Sequence, residues 1–539
     1  MRFSTLKASK MKRAIFAAAA FAVVSSCVAA GNRKAIVFMF DGFRADALEN
    51  ADAPNMKMLM DGKWQSGYNG AYSLCAETIP DAPTISGPNH VSIACGVTSA
   101  KTGVTGNGAN RCDFAKWPSW LVRLVEAQPG RKALFAFEWP WDKTVSPHPS
   151  VEFLNGLDAE NGAEVAKRLA GADAPDAVMF YINAPDYAGH TTGGFYPFNQ
   201  EYLGAVHVAD GIVGQCLAAI ASRTSFRDED WLVAVVSDHG GFGKGHTDVA
   251  SHGSTIPLVF AGRHVAQGMM PGAPRNYDIA PTVLAHFGID AAPFGLDGKI
   301  AGDAAAADSP RPLKDGLVAY LPFDGGEKGG VVGECFRVSG KNPSGLRIEG
   351  SQDMEFEDGE CFAFAAWVKI DAGQKGDPLL VGNKDWRTGS NPGVAVTVAK
   401  AIGRIKTPGV CLNSGADNER KRVDVGVFTP EYGKWTFYAA TRSKDGVLTF
   451  YQGTSHGWLY ALAGSGAGKP ATGLPFFLGQ DGTGAYKHAF AGCFDEFALW
   501  GRALSRSEVR MVFEAGRRGV EMREPIDPQI PSLAGRRKQ

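Results

Sequence analysis

At 539 residues the chain is too long for one hydrophobic core, and two or three domains are expected. Its composition, 45% hydrophobic and 21% charged, is ordinary for a soluble globular protein. A net charge of −1 leaves no basic footprint, so a nucleic-acid polymer is not an expected partner.

The first element reads as an export signal over residues 1–30. Lys7, Lys10, Lys12 and Arg13 form a positive region, and 14-AIFAAAAFAVVSS-26 is an apolar core too short to span a bilayer well. Two processing sites compete. Val24-Ser25-Ser26-Cys27 resembles a lipobox that would place a lipid anchor on Cys27, while Val28-Ala29-Ala30 resembles an ordinary small-residue cleavage site. The expected location is therefore periplasmic, outer-surface or secreted. Eight cysteines follow Cys27, and in an exported chain some could pair. None has CxxC spacing, so a cysteine metal site is not indicated.

The next 270 or so residues alternate strand-like and helix-like segments. Strands are predicted at 34-KAIVFMF-40, 132-KALFAFEW-139, 177-AVMFYIN-183, 231-WLVAVVS-237 and 256-IPLVFAG-262. Each is a nearly continuous apolar run, as in strands buried on both faces of a parallel sheet. Helices are predicted at 119–127, 161–171, 201–222 and 278–288. The pattern argues for an α/β domain over 33–302. A small-residue, proline-rich linker follows at 303–315. Beyond it, short segments such as 362-FAFAAWVKI-370, 435-WTFYAATR-442, 447-VLTFYQG-453 and 494-FDEFALW-500 are separated by Gly, Asp and Asn. That is the pattern of an antiparallel β-sandwich, placed at 316–520 and followed by a tail at 521–539.

Open parallel sheets collect ligands at the carboxyl ends of their strands. Here three strand ends carry metal-ligand side chains. Asp41 follows the first, Asp186 and His190 follow the third at helical spacing, and Asp238, His239 and His246 follow the fourth. Singly, each is equally a turn Asp or a surface His. Together, three carboxylates and three imidazoles without a thiolate suit Zn²⁺, with Mn²⁺ as a competitor. Ser86, in 83-PTISGPNHVSIACGV-97, stands before a helix-like run and is expected to cap it, with Pro88 in the first turn. The same position favours an oxyanion, so Ser86 is also a candidate nucleophile, with Thr84 next in line.

In chain order, 36-IVFMFDGFR-44, 86-SGPNH-90, 102-TGVTGN-107, 186-DYAGH-190 and 237-SDHGG-241 resemble the motifs of the alkaline phosphatase superfamily, in particular its type I phosphodiesterase/nucleotide pyrophosphatase branch. The resemblance covers roughly residues 33–300. It implies an α/β/α sandwich and a two-metal phosphate-ester hydrolase acting through a covalent phosphoseryl intermediate. Asp186, His190 and His246 would hold one ion; Asp41, Asp238 and His239 would hold the other, with Ser86 bridging toward it. Asn107 and the backbone N–H after Ser86 would contact phosphoryl oxygens. The chain departs from the family in three places. Ser86 stands where many members have Thr, Thr102-Gly103 replaces the usual HG, and both His246 and His252 are available as the last ligand. The spacing from GKGH to the 256-IPLVF-260 strand favours His246. Phosphodiesters are the expected substrates, of nucleotide, sugar or lipid head-group type; a phosphomonoesterase or a phosphonate hydrolase is the alternative. The sulfatase branch is disfavoured, because no Arg follows Ser86 in the pattern its aldehyde nucleophile needs. The second half resembles laminin G-like, concanavalin A-like jelly rolls, which implies a glycan partner and Ca²⁺ in that domain.

Overall fold

A computed structural model describes residues 32–527, apart from 109–111, 140–143, 247–252, 271–273, 302–310, 342–344, 358–359, 389, 403–406, 415–421, 426–431, 445, 454–458 and 466–469. The export signal with Cys27, His252, most of the linker and most of the tail lie outside the described residues.

The first half is built on seven strands: β1 (Arg33–Phe40), β2 (Asn69–Glu77), β3 (Ala133–Phe137), β4 (Val151–Asn155), β5 (Ala177–Ile182), β6 (Asp230–Ser237) and β7 (Thr255–Gly262). They lie in the order β2-β7-β6-β1-β5-β3-β4. The five from β6 to β4 are parallel, and β7 runs antiparallel to both β6 and β2. All five predicted strands are present. β2 and β4 are additional: β4 has an exposed, mixed pattern, because it is the sheet edge.

Side chains on the central strand alternate between two layers, as the pleat requires. Ile36, Phe38 and Phe40 enter one core with α1 (Ala45–Asn50), α2 (Pro54–Met60), α6 (Asp158–Ala170) and α8 (Gln200–Ala221). Ala35, Val37 and Met39 enter the other, with α3 (Ser86–Cys95), α5 (Trp120–Ala127) and the helix Ile279–His286. Two short helices, α4 (Ser99–Thr102) and α7 (Ala184–Thr191), stand at the carboxyl ends of the strands. The predicted α/β/α sandwich is therefore the observed one.

From Leu317 onward the chain forms two antiparallel sheets. One includes Phe362–Ile370, Trp435–Arg442, Val447–Gly453 and Ala491–Trp500; the other includes Leu379–Gly382, Val394–Ile402 and Thr407–Ser414. This is the expected jelly-roll domain. Its outer face is covered by the amphipathic helix Arg506–Arg517, which places Val509, Val512 and Phe513 against Trp367 and Phe437. A capping box between Ser505 and Glu508 starts that helix. The halves touch along β2: Leu74 pairs with Tyr460, Arg506 bridges to Glu77 at 3.1 Å, and Arg510 donates to the Met269 carbonyl. Among the described residues Cys95, Cys112, Cys216, Cys335 and Cys493 carry free thiols.

Candidate active site

The parallel strands end at one edge of the sheet, and the turns that follow them carry the titratable cluster. Asp41 succeeds the last residue of β1, and its N–H is held by the Ile182 carbonyl at 2.9 Å. Gly42 then turns the chain with φ +63°, a region glycine enters without strain. Asp238 succeeds β6 in the same way. Its Oδ1 accepts the backbone N–H of Gly42 at 3.1 Å and of His239 at 2.6 Å. α7 carries Asp186 in its first turn and His190 in its last. Asp158 caps this helix from α6, accepting the N–H of Asn183 at 3.0 Å and of Ala184 at 2.8 Å.

Ser86 is the first helical residue of α3, not its cap; Ile85 occupies the cap position in extended conformation, with no side-chain cap bond. The expectation of a capping serine fails because the hydroxyl faces the other way. Ser86 Oγ lies 3.4 Å from Asp41 Oδ1 and 3.3 Å from His239 Nε2. Thr84, the reserve nucleophile, is occupied: its hydroxyl donates to the His246 carbonyl.

Three imidazoles are oriented alike. Nδ1 of His190 meets the Lys244 carbonyl at 2.8 Å, Nδ1 of His239 meets the Gly240 carbonyl at 2.8 Å, and Nδ1 of His246 meets the Thr84 carbonyl at 2.5 Å. A carbonyl only accepts, so each Nδ1 carries the proton and each Nε2 presents a lone pair to the cluster. Asp41 Oδ1 and Asp238 Oδ2 each lie 3.3 Å from His239 Nε2. With Ser86 Oγ these atoms form one group. In the other, His190 Nε2 is 3.4 Å from Asp186 Oδ2 and 3.2 Å from His246 Nε2, and His246 Nε2 is 3.9 Å from Asp186 Oδ1. A tetrahedral ion bonded at about 2.0–2.1 Å needs neighbouring ligand atoms about 3.3 Å apart, so most of these spacings fit.

The charges argue the same way. Burial, reinforced by Asp41 and Asp238, pushes the Asp186 carboxyl up to about 9. Burial and Asp41 push Asp238 up to about 7. Burial also opposes ionisation of Asp41, but the His90 hydrogen bond, the charges of His239 and His90, and the Tyr181 hydrogen bond outweigh it and hold this carboxyl below its ordinary range. Burial and His239 press His246 down to about 4. Asp186 Oδ1 is buried with no hydrogen-bond partner. Three crowded carboxyl groups and three imidazoles whose Nε2 atoms face inward are a donor set that cations would satisfy.

His90 joins the cluster although it is not among the ligand candidates of the sequence. It is fully buried, and its Nε2 lies 3.2 Å from Asp238 Oδ2 and 3.5 Å from Asp41 Oδ2. The available signal was its place at the end of 86-SGPNH-90, one helical turn from Ser86. Asn107 sits beside Ser86: its Oδ1 accepts the Gly87 N–H at 2.9 Å. That backbone donor is therefore engaged, and the Asn107 amide is turned with its nitrogen away from it. Arg44 does not reach the cluster. It is buried, with its guanidinium paired to Asp46 at 2.9 and 2.8 Å and donating to the carbonyls of Phe195 and Gly241. Phe195 packs against the cluster, buried and edge-on to His190 at 5.1 Å.

Residues 35–243 match the family model for type I phosphodiesterase/nucleotide pyrophosphatase, and residues 347–510 match that for the concanavalin A-like lectin/glucanase superfamily. Venom phosphodiesterase 2 of Crotalus adamanteus is 27% identical over 228 residues, which are 38% of this chain and 26% of that protein. Ectonucleotide pyrophosphatase/phosphodiesterase family member 3 of Mus musculus is 24% identical over 231 residues, 38% of this chain and 24% of that one. The chain thus spans about a quarter of the length of these curated relatives. Among solved structures, an inactive form of murine ectonucleotide pyrophosphatase/phosphodiesterase 5 in complex with AMP covers 50% of this chain and 97% of its own, at 14% identity and a TM-score of 0.39. That likeness is too loose to bear on activity.

Proposed function

From the premise that a type I phosphodiesterase/nucleotide pyrophosphatase domain of the alkaline phosphatase superfamily fold is followed here by a concanavalin A-like domain, we propose that the protein is a two-metal hydrolase of phosphodiesters. The observation that carries this reading is the contact of the Ser86 hydroxyl with Asp41 and His239 inside a cluster of three carboxylates and three inward-facing imidazoles.

Asp41, Asp238, His239 and Ser86 would hold one divalent ion, and Asp186, His190 and His246 the other; the donor set suits Zn²⁺. When bound, the pair supplies positive charge that lowers the pKa of the serine hydroxyl and polarises the phosphoryl and leaving oxygens. Ser86 Oγ attacks phosphorus in line with the leaving alkoxide and loses its proton as the bond forms. The rigid start of α3 fixes the direction of attack. Asn107, oriented through its Oδ1 by the Gly87 N–H, directs its amide N–H groups to a non-bridging oxygen. The leaving oxygen takes up a proton, in balance with the one Ser86 has lost, and departs as an alcohol, leaving Ser86 joined to phosphorus in a phosphodiester that still carries the second ester group. Water then attacks the same phosphorus from the vacated side, releasing the phosphomonoester and restoring the Ser86 hydroxyl.

The diester preference rests on the third oxygen. A monoester carries a further negative charge, which needs a cationic partner. Arg44 is locked to Asp46, and Arg131 and Lys132 precede β3, at the end of the sheet away from the cluster, where they pair with Asp176 and Asp173. Asn107 is neutral and matches the singly charged diester. Export follows from the 1–30 segment. A glycan is the partner proposed for the jelly-roll domain, with Ca²⁺ as its ion.

Ser86→Ala tests the mechanism. Hydrolysis should fall to background while metal content stays at two equivalents; near-wild-type turnover would remove Ser86 as nucleophile. A second comparison sets kcat/KM for bis-nitrophenyl phosphate against nitrophenyl phosphate. A clear monoester preference would overturn the diester assignment and leave the two-metal reading intact.

A further inference from the structure

Asp41 uses its two oxygens differently. Oδ1 faces Ser86 and His239. Oδ2 faces away from them, accepting the Tyr181 hydroxyl at 2.9 Å with His90 Nε2 at 3.5 Å. The same His90 Nε2 lies 3.2 Å from Oδ2 of Asp238, the oxygen that also approaches His239. His90, on α3, and Tyr181, on β5, are packed together with ring centroids 5.0 Å apart, and Trp139 lies edge-on to His90 at 5.7 Å. Both rings are almost wholly buried.

We infer that His90 and Tyr181 form a buried clamp that fixes the rotamer of Asp41 against Asp238, which the Gly42 and His239 N–H groups already hold, so that Asp41 Oδ1 is presented to the ion nearest Ser86. The inference rests on the two-metal reading above. A carboxylate offers two equivalent oxygens and rotates freely unless one is held. Tyr181 meets Oδ2 of Asp41 at 2.9 Å and Oδ1 of Asn183 at 3.0 Å, and its single proton goes to the more strongly accepting carboxylate. His90 Nε2 faces two carboxylate oxygens, where an N–H is favourable and a lone pair is not, so Nε2 carries the proton. One N–H placed between Asp41 and Asp238 sets the gap between those side chains. Because His90 follows Ser86 by one helical turn, the helix that positions the nucleophile also positions the carboxylates it must meet. In this arrangement His90 and Tyr181 are positioning residues that act through Asp41; His90 also stands close enough to Asp41 and Asp238 for the three to hold an ion, and the His90 variants below separate the two roles.

Outer partners of metal ligands contribute about 10–100-fold in metal affinity, and that is the quantity to measure. Zn²⁺ affinity is determined by competition with a chromophoric chelator, without substrate, for wild type, Tyr181→Phe, His90→Leu and His90→Gln. Tyr181→Phe and His90→Leu should each weaken one of the two ions by about 10-fold or more, leaving the other unchanged. His90→Gln keeps an N–H donor and should recover most of the loss. Wild-type affinity in Tyr181→Phe and His90→Leu would overturn the clamp. Complete loss of one ion in both His90 variants, with a native circular dichroism spectrum, would make His90 a ligand and likewise overturn it. If His90→Leu fails to fold, Tyr181→Phe and His90→Gln decide. A wild type that binds no Zn²⁺ would instead sink the two-metal reading.

Discussion

Asp186 is the residue whose ionisation is most strongly opposed within the cluster, with burial first and the charges of Asp41 and Asp238 next, and its carboxyl lies at about 9. His246 is displaced the other way, to about 4, by burial and His239. Near neutral pH the metal-free protein therefore carries a protonated Asp186 and a neutral His246. Ligation needs a carboxylate and a neutral imidazole. Metal binding near pH 7 should then release about one proton from Asp186, about half a proton from Asp238 and none from His246. Calorimetry in two buffers of unlike ionisation enthalpy measures the sum, and a value no larger than the Asp238 share would place Asp186 outside the site. Stability of the metal-free protein follows the same sign. Between the ordinary carboxylate range and about 9, the folded state keeps a proton that the unfolded chain has lost. Stability therefore falls as pH rises through that window. Asp238, at about 7, shares only the lower part. Asp186→Asn should flatten the slope between about 7 and about 9, as urea titrations at several pH values will show. His246→Ala should remove about one metal equivalent by elemental analysis, given its 3.2 Å approach to His190. His252→Ala should remove none, and the reverse result would move the ligand to His252.

At the scale of elements, the site depends on how closely turns approach each other. A Cβ on Gly42 would sit 2.8 Å from both Cα and Oδ1 of Asp186 and 2.8 Å from the Phe195 ring, at a backbone φ of +63°. Gly42→Ala should cost about 1–3 kcal/mol in the backbone alone. It should also weaken the ion on the Asp186 side, visible as a lower Tm with a loosened metal affinity; an unchanged Tm would mean the turn relaxes freely. The strands that carry the cluster were legible because β1, β5 and β6 are buried on both faces and leave continuous apolar runs. The ligand positions were legible for the same reason, since Asp41 and Asp238 follow those runs directly. β4 was not, because its edge position leaves Glu152 and Phe153 exposed and breaks the pattern. Tyr181 reads as one more core residue of β5. Its hydroxyl acquires a role only when β5 is laid beside β1, with Tyr181 opposite Met39 and two residues from Asp41. The sequence favours a capping role for Ser86 because a serine before a helix commonly caps it, whereas here Ile85 takes the cap position and the Ser86 hydroxyl meets Asp41 and His239.

At the scale of the whole molecule, every residue proposed for the site precedes residue 250, yet the jelly-roll domain leans on β2, whose continuation leads to Ser86. Glu77 at the end of β2 pairs with both Arg275 and Arg506. Met269 packs against the cluster that contains Val512 and Phe513. A chain ending near residue 310 should still hydrolyse a small soluble diester, with a lower Tm than the full chain because Tyr72 and Met269 lose their cover. If it is inactive while folded by circular dichroism, the second domain holds β2 and the nucleophile loop in place. The cluster itself is gathered from residues 41 to 246, drawn from turns that meet only once the sheet has closed. An unfolded chain offers no such site, so the two proposed ions would enter only after the sheet has formed. The identity of the bound metal would then be decided by which ions surround the protein at the moment and place it finishes folding, and a change in that supply would yield differently metallated protein from the same gene product.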